Sequence, residues 1–169
     1  MIGNDVIDII QSRKESNWQR KGYLQKIFTS QEQLLISNAP DPEIMVWLLW
    51  SMKEAAYKIY NRQTKIRAYI PHKLICTILS QNDDYSIGTV NCAENIYYTK
   101  TIISPETLHT IALKSLDNLN NVIEIDRKYI IKDNNGIPYL TSSSSNILHD
   151  VSISHHGRFE KVVTLKSKF

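Results

Sequence analysis

Trp50-Ser51-Met52-Lys53-Glu54-Ala55-Ala56-Tyr57-Lys58 is the stretch whose reading decides the fold. It lies in the longest helical pattern of the chain. On a helix, residues three or four apart are neighbours. Glu54 therefore shares a face with Trp50, Ser51 and Lys58, while Lys53 points elsewhere. A carboxylate at the border of an apolar helix face is costly to bury without a partner or a metal ion. Taken alone, Glu54 and Lys58 make a structural ion pair, worth roughly a few tenths of a kcal/mol if exposed. The rest of the chain decides between that pair and a site.

Upstream, Asp41, Pro42 and Glu43 supply an N-cap, a proline at the first helical position and an acid in the first turn. The helix is expected from 41 to about 61. From Ile44 to Trp50 it is apolar all round, so this half is expected to be buried on most sides. Thr29-Ser30-Gln31-Glu32 is a capping box that opens a short helix through about Ser37. Residues 11–27 read as one or two short helices with Trp18, Leu24 and Ile27 as a sparse apolar set. Their basic residues Arg13, Lys14, Arg20, Lys21 and Lys26 face only Glu15. They form either a solvated face or a docking patch for an acidic partner.

Residues 2–10, Ile-Gly-Asn-Asp-Val-Ile-Asp-Ile-Ile, read as a strand. Alternation places Gly3, Asp5, Ile7 and Ile9 on one face and Asn4, Val6, Asp8 and Ile10 on the other. Two aspartates in a strand call for a reason. Gly3 beside Asp5 leaves space for a ligand or another backbone.

Downstream, residues 66–79, 85–92 and 95–103 are expected to form an antiparallel meander, with a further strand at 111–113. Residues 116–122 read as a loop or short helix, 133–138 as a strong turn and 142–145 as a serine-rich mobile loop. Residues 149–154 are expected to form a strand with Val151 and Ile153 inward. His155, His156 and Gly157 then turn into a last strand at 159–165. His72, His109 and His149 are read as structural.

The 169 residues suit one domain, 1–169, with ordinary apolar and charged content. A net charge of +3 is too small to argue for nucleic acid and suits an acidic protein partner. No apolar run approaches the roughly 18 residues that span a bilayer. Asn4, Asp5 and Asp8 interrupt the N-terminal apolar stretch, which does not read as a signal peptide. Cys76 and Cys92 form no metal-type spacing and read as reduced thiols, fitting a cytoplasmic protein.

Four segments in order carry a resemblance: Gly3-Asn-Asp5-Val-Ile-Asp8, Trp50…Lys53-Glu54-Ala…Lys58, Gly136-Ile-Pro138 and Ser152-Ile-Ser154-His155. Together they resemble the 4′-phosphopantetheinyl transferases of the holo-acyl-carrier-protein synthase type. The resemblance implies an α+β fold with an antiparallel sheet packed against the long central helix. It implies transfer of phosphopantetheine from coenzyme A to a serine of an acyl or peptidyl carrier protein, in fatty-acid or secondary-metabolic synthesis. Asp5 and Glu54 match the family's Mg²⁺ ligands. Glu54 and Lys58 match its catalytic pair, and Lys53, Lys58, Arg62, Ser154 and His155 are the expected coenzyme A contacts. Arg13, Arg20 and Lys21 lie where the family docks its carrier. The short synthases assemble with copies of themselves, which implies a homo-oligomer, a trimer above all. The alternative is an inactive coenzyme A, nucleotide or carrier-protein-binding module, or a structural interaction protein.

The chain also departs from the family pattern. Glycines usual after the second lysine are absent, and Arg62 stands there as a substitute phosphate contact. Asp8 stands for a glutamate, and Ile137 for a lysine between Gly136 and Pro138. Ile7 occupies the position of a second strand acid found in the two-lobed branch.

Overall fold

The computed structural model describes residues 1–142 and 145–166. The chain is α+β, with two five-stranded antiparallel sheets and one long helix. The elements in order are β1 (Ile2–Asp8), α1 (Ile9–Glu15), α2 (Tyr23–Ile27), α3 (Ser30–Asn38), α4 (Pro42–Thr64), β2 (Ile75–Gln81), β3 (Tyr85–Cys92), β4 (Asn95–Ile103), β5 (Thr107–Leu113), β6 (Val122–Glu124), β7 (Ile130–Lys132), β8 (Pro138–Ser142), β9 (Ser145–His156) and β10 (Phe159–Leu165). The first sheet has the order β1-β5-β4-β3-β2, and the second β6-β10-β9-β8-β7. No helix of the described residues is long and apolar enough to cross a membrane.

α4 begins as its sequence dictates. Asp41 caps it by accepting from the Ile44 amide at 3.1 Å, and Pro42 follows at the first position. Val46, Trp47, Leu48 and Leu49 are buried in succession, so this half is indeed covered on every side. The helix runs three residues past the expected end, to a left-handed cap at Lys65. The Thr29–Glu32 capping box forms with both of its hydrogen bonds.

Local rules misplace several boundaries. The strand expected at 111–113 starts at Thr107, and the one expected at 149–154 runs from Ser145 to His156, taking in both histidines read as a turn. The first strand stops at Asp8 rather than at Ile10, because Asp8 caps α1, accepting from the amides of Ile10 and Gln11. Arg158 pairs with the same carboxylate at 2.9 Å and holds Asp8 well below the usual carboxylate range. The strand expected from 66 begins only at Ile75, because Pro71–Lys73 forms a 3₁₀ turn. The second sheet is absent from the single-sheet expectation. Its short strands β6 and β7 come from residues 122–132, where no strand is expected. The centre of the expected serine loop, 143 and 144, lies outside the described residues.

Gly3 answers the question of what lies over the sheet beside Asp5. It is another backbone: a Cβ at Gly3 would fall on the Ala55 carbonyl oxygen of α4. Gly3→Ala is therefore expected to lower stability by about 1–3 kcal/mol through forced separation of β1 and α4. Thermal unfolding measures this; an unchanged Tm would contradict the close approach.

Candidate active site

β1 and α4 meet at Gly3, and this contact sets two acids side by side. Asp5 leaves β1 and Glu54 leaves α4, and both line one cavity of about 250 Å³ with Val6, Tyr23, Trp50 and His155. The Asp5 carboxylate accepts from the Ser154 hydroxyl at 3.1 Å through Oδ1. Its Oδ2 is buried and has no hydrogen-bond partner among the described residues. Burial raises the Asp5 pKa, against the opposing influence of Lys58, Ser51 and Ser154. Burial and the neighbouring Asp5 charge push Glu54 up to about 7.

Lys58 stands one turn after Glu54. Its Nζ donates to the Asn4 carbonyl at 2.6 Å and to the Ile153 carbonyl at 3.0 Å. An ammonium has three protons to give, so one remains. Burial lowers its pKa, and the charges of Asp5 and Glu54 act against that. Lys58 also lines a second, larger cavity of about 630 Å³ with Arg127, Lys132, Ile137, Ile153 and His155. His155 is exposed and borders both cavities. The acid pair and its lysine thus stand between a basic cavity and an aromatic-walled one.

One expected coenzyme A contact, Lys53, is corrected, and two others, Arg62 and Ser154, already have partners within the protein. Lys53 does not reach the site. It is buried in an ion pair with Glu32 at 2.8 Å and donates to the carbonyls of Pro71 and Leu74. Its position on α4, one residue before Glu54, turns it to another face of the helix. Arg62 is also largely committed. It pairs with Asp150 at 3.0 Å, donates to the Pro138 and Val151 carbonyls and stacks over Tyr139. It ties α4 to the second sheet and lines the larger cavity. Ser154 accepts from the Val6 amide and donates to Asp5, which occupies its hydroxyl proton with the acid.

The basic docking patch is brought together only in part. Arg13 is held by Glu43 at 2.8 Å, at the start of α4. Arg20 lies over the Tyr23 ring, and Lys21 is exposed beside it. Tyr23 in turn lines the smaller cavity, so this face borders the acid pair. Of the three histidines read as structural, His109 is pushed down to about 4 by burial and nearby lysines. His72 bonds the Gln25 carbonyl.

Arg127 and Lys132 were not singled out from the sequence. Their signal was faint: basic residues just before the Gly136-Ile-Pro138 turn. They line the wall where Ile137, buried, replaces the family's lysine, with Arg127 in an ion pair with Glu160 at 2.7 Å on the same wall.

The residues present fit a divalent cation of the Mg²⁺ kind. Such an ion takes one or two carboxylates and completes its octahedron with phosphate oxygens and water. Asp5 Oδ2 is a buried oxygen lacking a partner, and Glu54 adds a second carboxylate on a rigid helix. Among the described residues no group of three or more His, Cys, Asp or Glu converges as a closed cage.

A family model described as the 4′-phosphopantetheinyl transferase superfamily matches residues 1–113, more than half of the chain. The match covers β1 through β5 with all four α-helices. The Gly136-Ile-Pro138 and Ser152-Ile-Ser154-His155 segments lie beyond it. No curated protein matches the chain.

Proposed function

The chain belongs to the 4′-phosphopantetheinyl transferase superfamily, and from that premise we propose that it moves phosphopantetheine from coenzyme A to a serine hydroxyl of an acyl or peptidyl carrier protein. The oxygen–phosphorus bond to the serine forms as the diphosphate bond breaks, and adenosine 3′,5′-bisphosphate leaves. The observation that carries this reading is the buried, unpartnered Asp5 Oδ2 beside Glu54 and Lys58, between two cavities.

In this reading Asp5 and Glu54 hold Mg²⁺, which when bound supplies charge neutralisation at the diphosphate. Glu54 is placed to accept the proton of the carrier serine. The remaining Lys58 proton faces the larger cavity, where it offsets charge developing on the bridging oxygen. Lys132 and His155 line the same cavity and suit the nucleotide's phosphates, with Arg127 beside them paired to Glu160. The carrier approaches from the other side, over Tyr23, with Arg20 and Lys21 meeting its acidic surface.

All of 1–169 is the working unit in this reading, because the second sheet contributes Ser154 and His155. The self-association implied by the resemblance is then not needed to complete the site, since one copy holds Asp5, Glu54, Lys58 and His155. Incubation with coenzyme A, Mg²⁺ and an apo carrier protein tests the proposal. The expected result is a mass gain of one phosphopantetheine on the carrier. Coenzyme A binding without transfer would instead mark an inactive binding module.

A further inference from the structure

β1 lies at the edge of its sheet, paired on one side by β5. Its other edge is closed by side chains rather than by another strand's backbone. The amide of Asn4 donates to Ser152 Oγ, that of Val6 to Ser154 Oγ and that of Asp8 to His156 Nδ1, each at 2.9 Å. Donors and acceptors both recur every second residue, the period at which strand side chains share a face. Ser152, Ser154 and His156 thus stand where the carbonyls of a neighbouring strand would. The inward face expected for β9 is met at Val151 but only half at Ile153, which lines the larger cavity, while the polar Ser152 and Ser154 are both below one-tenth exposed.

A hydroxyl differs from a carbonyl in keeping a proton to donate. Ser154 receives the Val6 amide, so its proton is free for Asp5, whose Oδ1 lies 3.1 Å away. Ser152 makes the equivalent bond one pair earlier, and among the described residues no bond joins it to the Asp5 carboxylate. Ser51 approaches Asp5 from α4: its hydroxyl lies 3.5 Å from the main-chain carbonyl and also favours the ionised carboxylate, although its only hydrogen bond to Asp5 among the described residues is to the backbone. Lys58 bridges the two strands from below, through Asn4 and Ile153.

We infer that Ser154 is a positioning residue for the Asp5 carboxylate: its hydroxyl occupies Oδ1 and leaves the buried Oδ2 as the atom that takes a divalent cation. The inference rests on the proposed role of Asp5 and Glu54 as the cation's ligands. Groups that hold metal ligands in place change metal affinity by about 10–100-fold when removed. A bond that only closes a strand edge changes stability instead.

The two serines separate these effects, because Ser152→Ala and Ser154→Ala each remove one bond to β1. Mn²⁺ is titrated into the full chain in the presence of coenzyme A, free Mn²⁺ is followed by its electron paramagnetic resonance signal, and Tm is recorded for each variant. Both variants are expected to lose a similar amount of Tm. Ser154→Ala is expected to weaken Mn²⁺ binding about 10-fold or more, and Ser152→Ala less than about twofold. Ser154→Thr, which keeps the hydroxyl, is expected to restore binding. If Ser154→Ala does not fold, Ser154→Cys replaces the hydroxyl with a weak donor of similar size and is expected to weaken Mn²⁺ in the same direction. Equal weakening in the Ser152 and Ser154 variants, or none in the Ser154 variants, overturns the inference. A wild-type chain that holds Mn²⁺ no better than Asp5→Asn overturns the ligand assignment beneath it.

Discussion

Glu54→Gln is expected to reduce transfer by about 10²–10⁴-fold, the usual effect of losing a positioned proton acceptor, and at the same time to stabilise the metal-free protein at pH 8. The second effect follows from the direction of the pKa shift. Glu54 rises from 4.5 to about 7 on folding, chiefly through burial and then through the Asp5 charge. Between those values the folded chain holds more protons than the unfolded chain. Stability therefore falls as pH rises through that window, and above it the ionised side chain carries its full desolvation cost. Glutamine carries no such cost. The gain at pH 8 is on the order of 1–3 kcal/mol, and at pH 4 it disappears. Thermal unfolding at the two pH values without divalent metal measures it. Mg²⁺ with coenzyme A should raise the Tm of the wild-type chain at pH 8 and leave that of Glu54→Gln nearly unmoved. Near-normal transfer by the variant would remove Glu54 from the chemistry. A site that costs stability in the empty protein and recovers it on loading is the usual trade between function and stability.

Lys53→Met is expected to act on folding instead. Lys53 and Glu32 are both 1% exposed and 2.8 Å apart. Glu32 also accepts from the amides of Thr29 and Cys76, so the pair joins α3, α4 and the start of β2. Removing the ammonium leaves an uncompensated buried carboxylate, at a cost of about 3–5 kcal/mol. The double variant Lys53→Met/Glu32→Gln should recover part of the loss, because no charge then remains buried. Chemical denaturation of the three chains gives the coupling. Molecules of Lys53→Met that do fold should keep their affinity for coenzyme A. A stable variant with weakened coenzyme A binding would return Lys53 to the ligand site and undo its structural assignment.

Both results turn on neighbours in one motif that sequence alone treats alike. Lys53 and Lys58 stand in the same Lys-Glu-Ala-x-x-Lys element, yet one crosses into the core and the other faces the cavity. Helical spacing separated their faces. It did not reveal Glu32, the partner 21 positions away that receives Lys53. Arg62 was harder still, because its partner Asp150 lies 88 positions on. Asp8 looked like a second strand acid; it caps α1 locally, and the Arg158 contact, 150 positions away, adds the charge partner that the sequence does not show. Ser154 looked like a phosphate contact because its motif does, whereas its hydroxyl is engaged between Val6 and Asp5.

The sequence by itself determined what local physics controls. Periodicity, the Asp41 cap and the Thr29–Glu32 box defined the helices around the central one, and its apolar half could only be buried. Motif order pointed to the family, and the same motifs nominated Asp5, Glu54 and Lys58. Tertiary structure alone decided which polar groups are left for chemistry. A buried donor or acceptor takes whatever partner the fold brings near, and those partners come from distant strands. Lys53 and Arg62 found theirs inside the protein. Asp5 Oδ2 found none among the described residues, and that buried oxygen beside Glu54 and Lys58 distinguishes the turn from an ordinary helical ion pair.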